Sequence, residues 1–214
     1  MNNLKRSDLL VALVIGEVCA WLMVLIGGNL ALENPAMASA LPFMKYLPFV
    51  FPILCALGLA VAGVLSKIIP VIYQVAKFVL VGGLNFLIDM GILNFLVFYT
   101  GIAAGLAQSG FKGVSFFAAV INSYFWNKFW TFKRESSESV GKEFLQFIIV
   151  SVIGFGINLG VNYVAVNMIT PLGGIQEKTW AQVGALAAAV VALFWNFIGY
   201  KFLVFEQKSK ETIR

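Results

Sequence analysis

The chain has 214 residues, of which 60% are hydrophobic and only 12% are charged, against roughly 45–50% and 25% in average soluble proteins. So few charged residues exclude a domain whose whole surface faces water, and the composition predicts an integral membrane protein. The sequence has no histidine, and Cys19 and Cys55 both lie inside apolar stretches. We therefore expect no metal site, no other cofactor, no disulfide and no enzyme activity.

The apolar stretches predict an all-α, polytopic transmembrane helical bundle. At about 20 apolar residues per crossing, the chain has room for about six spans. The first apolar run follows Lys5 and Arg6 but is longer than the core of a signal peptide, so we interpret it as a helix that stays in the protein. The six expected spans are 9–30, 47–66, 78–99, 114–132, 144–168 and 181–205.

Lysine and arginine are distributed unequally between the two sides of this predicted topology. All of them except Lys45, Lys112 and Lys178 fall on one side. Because basic residues near helix ends are retained on the cytoplasmic face, we expect a multi-pass protein of the cytoplasmic (inner) membrane with both termini in the cytoplasm. The basic face would meet anionic membrane lipids or an anionic substrate.

The second part of the chain repeats itself. An offset of 69 residues aligns 78–81 with 147–150, and the fourth and sixth spans both end with a lysine and a phenylalanine four residues apart. The repeated unit is a pair of helices, so the two copies are expected to be parallel repeats. We expect an N-terminal helix pair at 1–72, a four-helix domain at 73–207 and a cytoplasmic tail at 208–214.

Polar residues inside the apolar helices predict a translocation track. Asp89 lies about 16 Å into the third span, near the middle of the bilayer, where a charge costs about 2.5–3.5 kcal/mol even on permissive scales. Lys77 and Asn85 share its helical stripe. The alternative is that these groups only join helices through hydrogen bonds of about 0.6 kcal/mol each. The predicted track comprises Asn85, Asp89, Asn122, Asn127, Asn158, Asn162 and Asn196.

Lys128 and Lys201 are the lysines that precede the helix-ending phenylalanines in the two copies. At matched depth near the cytoplasmic boundary, the two ammonium groups are expected to converge on one phosphate. The alternative is that they are interfacial anchors that extend toward water beside aromatic residues. The predicted phosphate contacts are Lys77, Lys128, Lys133, Arg134 and Lys201.

Two glycine patterns predict helix packing faces. Gly156 and Gly160 form a small-xxx-small pattern, and Gly82 with Gly83 makes a similar flat place in the first copy. These faces would join the two repeats or two chains of a homo-oligomer. Glu17 is a second acid at membrane depth without an obvious partner in the sequence; three alternatives are open, namely Lys67 as partner, a polar residue of the core as partner, or a neutral carboxyl group, because burial disfavours the charged form.

Three segments of the four-helix region carry a resemblance to a known family. They are 77–83, which reads KFVLVGG with Asp89 beyond it, and the segments 122–132 and 196–205. The region from about 75 to 207 resembles the GtrA-like family of small membrane proteins, which act on polyprenyl-phosphate-linked sugars. The resemblance implies flipping of such a lipid-linked sugar across the cytoplasmic membrane, for cell-surface polysaccharide or glycan modification. The N-terminal pair lies outside the usual core, and Leu203 stands where the first copy has Trp130.

Two other functions stay open. One alternative is a non-transporting accessory or anchor subunit of a membrane glycosyltransferase. The other is a proton-coupled exporter of small cations in which Glu17 or Asp89 binds the proton and the cargo. The basic cytoplasmic face argues against a cationic cargo. The expected partners are a polyprenyl-phosphate-linked sugar, a membrane glycosyltransferase, membrane lipids and a second copy of the chain, and no nucleic acid.

Overall fold

The computed structural model describes residues 4–32, 34–134, 139–171 and 176–205, and the regular structure in these ranges is entirely helical. Helices α5 and α7 each continue directly into a five-residue π-helical turn, Asn127–Thr131 and Tyr200–Val204. The helices are α1 (Arg6–Ala31), α2 (Pro35–Met44), α3 (Leu47–Leu65), α4 (Ile72–Thr100), α5 (Gly105–Trp126), α6 (Val140–Asn167) and α7 (Glu177–Gly199).

Five helices in the described ranges are long and apolar enough to cross a membrane, which confirms a multi-pass helical bundle. They are α1, α3, α4, α6 and α7 with its π turn. The expected fourth span is present as α5 but is not among these five. Gln108, Ser109 and Lys112 make the first half of α5 more polar than the other spans.

Helix α2 was not predicted. It has ten residues and is therefore about 15 Å long, too short to cross a bilayer. The Asn34 side chain caps it by accepting from the backbone N–H groups of Ala36 and Met37, and Pro35 occupies the first turn, where its missing N–H is not needed. A well-capped short helix leaves no long apolar run in the sequence, so hydropathy alone does not reveal it.

The chain divides into two compact units, 1–133 and 134–214. In the first unit α1 packs closely on α3, because a Cβ on Gly16 would lie only 2.5 Å from the Pro52 Cα. The core of this unit also takes Val81 from α4 and Trp130 from the first π turn. The expected domain boundary at residue 73 stays a prediction, and the expected tail 208–214 lies outside the described residues.

Hairpin 1 consists of α4, α5 and the π turn Asn127–Thr131. Its connection contains Gly101, which ends α4 with a φ of 70°, a conformation that favours glycine. Contacts pair the start of α4 with the end of α5, as Phe78 and Phe132 show with ring centroids 6.2 Å apart. Nearer the connection, Asp89 contacts Ser115. The two helices are therefore antiparallel.

Hairpin 2 consists of α6, α7 and the π turn Tyr200–Val204, and it repeats the register of hairpin 1. The rings of Phe147 and Phe205, the counterparts of the phenylalanine pair in hairpin 1, have centroids 6.1 Å apart. At the other end of this hairpin, the Trp180 indole donates to the backbone oxygens of Ala165 and Ile169. The repeated two-helix unit inferred from the 69-residue offset is thus a pair of similar hairpins.

Candidate functional site

The end of each hairpin opposite its connecting loop, here called the open end, contains a π turn. In hairpin 1 the Phe132 N–H donates to the Asn127 oxygen at 2.8 Å, and in hairpin 2 the Phe205 N–H donates to the Tyr200 oxygen at 2.8 Å. Both bonds connect residues five apart instead of the usual four. Such turns are rare and often occur at functional sites. Sequence analysis did not predict them, although the shared lysine and phenylalanine mark their positions.

Lys128 lies inside the first π turn and is only 5% exposed. Its Nζ donates to the Tyr124 hydroxyl at 3.1 Å and lies 5.3 Å from the centroid of that ring. The ring of Phe129 is 5.7 Å from the same Nζ. An ammonium enclosed by aromatic rings does not have the environment of an anchor that extends toward water.

Lys201 has the same position in the second π turn. Its Nζ lies 5.7 Å from the centroid of the Phe197 ring and 5.4 Å from that of Phe202. Lys201 is half-buried, and Phe197 takes the place of Tyr124, so the ring under this lysine offers no hydroxyl. The two lysines therefore share a local structure but differ in burial and in hydrogen bonding.

Two buried oxygens beside Lys128 have no hydrogen-bond partner in the described part of the chain. Asn127 is 1% exposed and donates through Nδ2 to the backbone oxygen of Ser123 at 2.9 Å, but its Oδ1 accepts nothing there. The Thr131 Oγ1 in the same turn is also unpaired. Buried polar atoms are nearly always paired, so these two are candidates to bind a ligand's hydroxyl or amide groups.

Lys77 is engaged with an acid that sequence analysis missed. Its Nζ lies 2.6 Å from Asp8 Oδ2, and Lys77 is 2% exposed. The same carboxylate accepts from the Tyr73 hydroxyl at 3.0 Å and from the Trp130 indole N–H at 3.0 Å. Lys77, in the second turn of α4, is thus held in a buried ion pair with α1.

The two basic residues after the first π turn have different partners. Lys133 has a φ of 53°, and its Nζ lies 4.0 Å from Asp8 Oδ2 with the side chain 45% exposed. Arg134, in the second unit, has its Nε 3.6 Å from Oε2 of the buried Glu143. Both residues therefore sit beside a carboxylate of their own unit.

Apart from Asn127, the predicted track residues of hairpin 1 form hydrogen bonds or ion pairs with one another or with neighbouring side chains. The Asn122 amide donates to Asn85 Oδ1 at 2.6 Å. Asp89 forms an ion pair with Lys112 and accepts from Ser115 Oγ at 2.6 Å. Because α4 begins at Ile72, Asp89 is about 26 Å from its start and about 16 Å from its end, nearer the connection than the expected midplane.

In hairpin 2 the predicted track residues have less complete hydrogen bonding. The buried Oδ1 atoms of Asn162 and Asn196 have no partner among the described residues. The Asn196 side chain lies directly against Gly154, where an added Cβ would be 2.1 Å from its Oδ1. Asn158 is half-buried on the same helix as Asn162. This hairpin therefore contains two amide oxygens that a bound hydroxyl would satisfy.

The remaining expectations concern glycines and Glu17. A Cβ on Gly82, Gly83, Gly156 or Gly160 would meet no atom within 4 Å, so these faces are open and their packing role stays a prediction. Glu17 does not take Lys67 as its partner but accepts from the Trp21 indole N–H at 2.7 Å, one turn along α1. Within the described ranges, no three acidic or cysteine side chains gather as a metal site would require.

Comparison with known proteins identifies the family. A curated relative, the "Uncharacterized membrane protein YngA" of Bacillus subtilis (strain 168), is 31% identical over 141 residues, which are 65% of this chain and 84% of the relative. No solved structure matches the chain. A family model for the GtrA/DPMS transmembrane domain matches residues 77–205, both hairpins with their π turns. The chain belongs to the GtrA/DPMS transmembrane domain family.

Proposed function

We propose that this protein flips a polyprenyl-phosphate-linked sugar from the cytoplasmic to the outer leaflet of the cytoplasmic membrane. The family assignment supports a role with glycosyl lipids, and the matched lysines of the two π turns are the observation that carries the proposal. No covalent chemistry is required. The barrier is the movement of a phosphate and sugar hydroxyls through hydrocarbon, which polar groups inside the protein lower by replacing water.

Lys128 is the main phosphate contact in this proposal, and Lys201 is its counterpart in hairpin 2. The attraction between an ammonium and a phosphate charge 4 Å apart is about 4 kcal/mol at an effective dielectric of 20. Lys128 is already held by the Tyr124 hydroxyl, so its ammonium has less side-chain freedom to lose when the phosphate binds. A fixed cation of this kind favours binding over one on a mobile side chain.

In this proposal, sugar hydroxyls donate hydrogen bonds to the buried amide oxygens that have no partner among the described residues. Among the described residues, the Asn127 Oδ1 in the same turn as Lys128 and the Asn196 Oδ1 five residues before Lys201 accept no hydrogen bond. Hairpin 1 thus has a cation and an acceptor on adjacent residues of one turn, and hairpin 2 has them five residues apart along the chain. This pairing matches the chemistry of a sugar phosphate, in which an anion and hydroxyl donors are neighbours.

A vesicle assay tests the proposal. Purified protein is reconstituted into phosphatidylcholine vesicles that contain a fluorescent short-chain polyprenyl-phosphate sugar, and an impermeant quencher reports the fraction in the outer leaflet. We expect wild-type protein to make nearly all of the lipid accessible over time, and the Lys128→Gln variant to do so more slowly. If the quencher reaches only the half of the fluorescent lipid that starts in the outer leaflet of the protein-containing vesicles, the result contradicts the proposal. It would then favour the accessory role beside a glycosyltransferase.

The orientation is a separate part of the proposal. It places the open ends of both hairpins at the cytoplasmic face, from which the proposed substrate would enter. A Ser137→Cys variant without Cys19 and Cys55 should react with an impermeant thiol reagent only after the cells are broken. Labelling in intact cells would reverse the orientation, and the phosphate would then enter from the outer side.

A further inference from the structure

Four hydrogen-bond donors or cations surround a single carboxylate at the open end of hairpin 1. Asp8 Oδ2 accepts from Lys77 Nζ at 2.6 Å and from the Tyr73 hydroxyl at 3.0 Å. Its Oδ1 accepts from the Trp130 indole at 3.0 Å. The Nζ of Lys133 also lies near this carboxylate, 4.0 Å from Oδ2. These side chains form what we call the Asp8 cluster.

The donors of the cluster and its anion come from different parts of the chain. Lys77, Trp130 and Lys133 lie within the matched family domain, and Tyr73 is four residues before it. Asp8 belongs to α1, which precedes that domain. The family domain therefore provides a set of donors around an anion position, and the preceding helix provides the anion.

The charges of the cluster suit an anion larger than one carboxylate. The ammonium groups of Lys77 and Lys133 both lie within 4.0 Å of the Asp8 carboxylate, and the Lys77 ammonium also lies over the rings of Tyr73 and Trp130 at 4.8 and 5.1 Å. Charge-assisted bonds from lysine and from neutral N–H and O–H donors are the usual contacts of a bound phosphate. Lys133 forms the exposed edge of this position, whereas Lys77 is its buried floor.

We propose that the Asp8 cluster is a phosphate-binding site in which Asp8 is a built-in occupant that a phosphate group displaces. The N-terminal helix then acts as an autoinhibitory contact, because α1 must release Lys77 before the site can bind. The nature of the displacing anion, the phosphate of a lipid headgroup, rests on the proposed function. The presence of an anion-binding site is independent of the proposed function, because it is inferred only from the four donors or cations around Asp8.

Removal of the built-in anion tests the site. In the Asp8→Ala variant, inorganic phosphate should bind where the carboxylate was and raise the melting temperature of the purified protein in detergent. We expect half-maximal stabilisation at a phosphate concentration about tenfold lower than for wild type, in which Asp8 leaves only a fraction of the sites open. Chloride at equal ionic strength is the control for screening.

A second variant distinguishes phosphate binding at the Asp8 cluster from general stabilisation of the protein by phosphate. The Asp8→Ala/Lys77→Met protein lacks the anion and the floor of the site, so phosphate should no longer stabilise it more than chloride does. Equal phosphate effects in the single and double variants, or none in either, would overturn the proposal. If the Asp8→Ala protein does not fold, Asp8→Ser replaces it, because serine removes the charge and leaves room for phosphate while its hydroxyl can still accept a hydrogen bond from a neighbouring donor.

The same measurement in nanodiscs distinguishes the two sources of phosphate. Phosphatidylcholine discs with and without a few mole per cent of polyprenyl phosphate are compared with discs in inorganic phosphate. Stabilisation of the Asp8→Ala variant by the lipid supports a headgroup site, whereas stabilisation by inorganic phosphate alone overturns the lipid part of the proposal. No flipping is measured here, so a negative vesicle assay leaves this result unaffected.

Discussion

Hairpin 1 and hairpin 2 have the same backbone register, the same phenylalanine pair at the open end and the same lysine in a π turn, yet they bury different polar groups. At the position of Lys77 hairpin 2 has Gln146, and at that of Trp130 it has Leu203. The Asp8 cluster therefore has no counterpart in hairpin 2. The two copies share the register and the π turn, but their buried acids differ in origin: Lys77 of hairpin 1 pairs with Asp8 from α1, whereas Glu143 of hairpin 2 is a residue of α6 itself.

The comparison extends to the middle of each hairpin. In hairpin 1 the polar side chains of α4 are satisfied by α5, with Asn85 bonded to Asn122 and Asp89 paired with Lys112. In hairpin 2 the side-chain oxygens of Asn162 and Asn196 have no hydrogen-bond partner within the described ranges. Hairpin 1 is thus the more completely bonded copy in its middle, and hairpin 2 has the greater capacity to accept new hydrogen bonds there.

The largest difference should appear when the buried ion pair is broken. Lys77→Met leaves the Asp8 carboxylate buried without its closest cation, and loss of one partner of a buried pair costs about 3–5 kcal/mol. Gln146→Met, at the matched place in hairpin 2, should cost less than about 1 kcal/mol. Thermal unfolding of the purified variants compares them. Equal losses would mean that the pair contributes nothing specific to hairpin 1.

Substitution of both partners sharpens this test. Asp8→Leu together with Lys77→Met should recover most of the stability lost by Lys77→Met alone, because apolar replacement of a buried pair is often neutral. A double variant that is as unstable as the single one would show that the loss comes from packing around Tyr73 and Trp130 instead of an uncompensated charge.

The next effect concerns a close approach between the two helices of hairpin 2. Gly199 stands where hairpin 1 has Trp126, and a Cβ there would lie 2.5 Å from the Val150 Cγ1. Gly199→Ala should therefore destabilise, because overpacking against a stiff β-branched side chain costs about 1–3 kcal/mol. Gly156→Ala, at an open position of the same hairpin, should gain up to about 1 kcal/mol of helix stability. If the melting temperatures of the Gly199→Ala and Gly156→Ala variants change in the same direction, the close packing of Gly199 against Val150 is contradicted.

The sequence predicts those features that depend on long apolar runs or on similarity between the copies. Five of the six expected spans, the hairpin repeat and the matched positions of Lys128 and Lys201 follow from such patterns. The partners of Lys77 and Asp89 do not follow from them. Asp8 lies 69 residues from Lys77 in the chain and Lys112 lies in a span of mixed polarity, so only tertiary packing reveals either pair. The π turns were missed because one extra residue hardly changes the apolar pattern of a helix.

The two π-turn lysines should differ in their effect on substrate. Lys128→Gln removes a charge-assisted contact from a buried position and should weaken binding or flipping of the lipid-linked sugar about tenfold. Lys201→Gln, at a half-buried position without a hydroxyl partner, should have a smaller effect of a few-fold. Arginine replacements are the control, since an interfacial anchor tolerates the larger guanidinium. Both measurements use only the folded fraction after size exclusion.

If both glutamine variants bind the lipid as wild type does and change only the melting temperature, these lysines are structural. The phosphate would then be held elsewhere, and the Asp8 cluster would be the remaining candidate in hairpin 1. A loss confined to Lys201→Gln would instead assign the main phosphate contact to hairpin 2.

The smallest stability effect is expected at Asp89, which has the same residue type as Asp8 in a different setting. Its partner Lys112 is 46% exposed, and exposed pairs contribute about 0–1 kcal/mol, so Asp89→Asn should leave the melting temperature nearly unchanged. Flipping should nevertheless fall several-fold if the carboxylate belongs to the track, because asparagine keeps the hydrogen bond from Ser115 but not the charge. Lys112→Gln is the matched control, since it breaks the same pair and keeps the carboxylate. Equal flipping by both variants and the wild type would make Asp89 a packing residue and restrict the polar path to the asparagines.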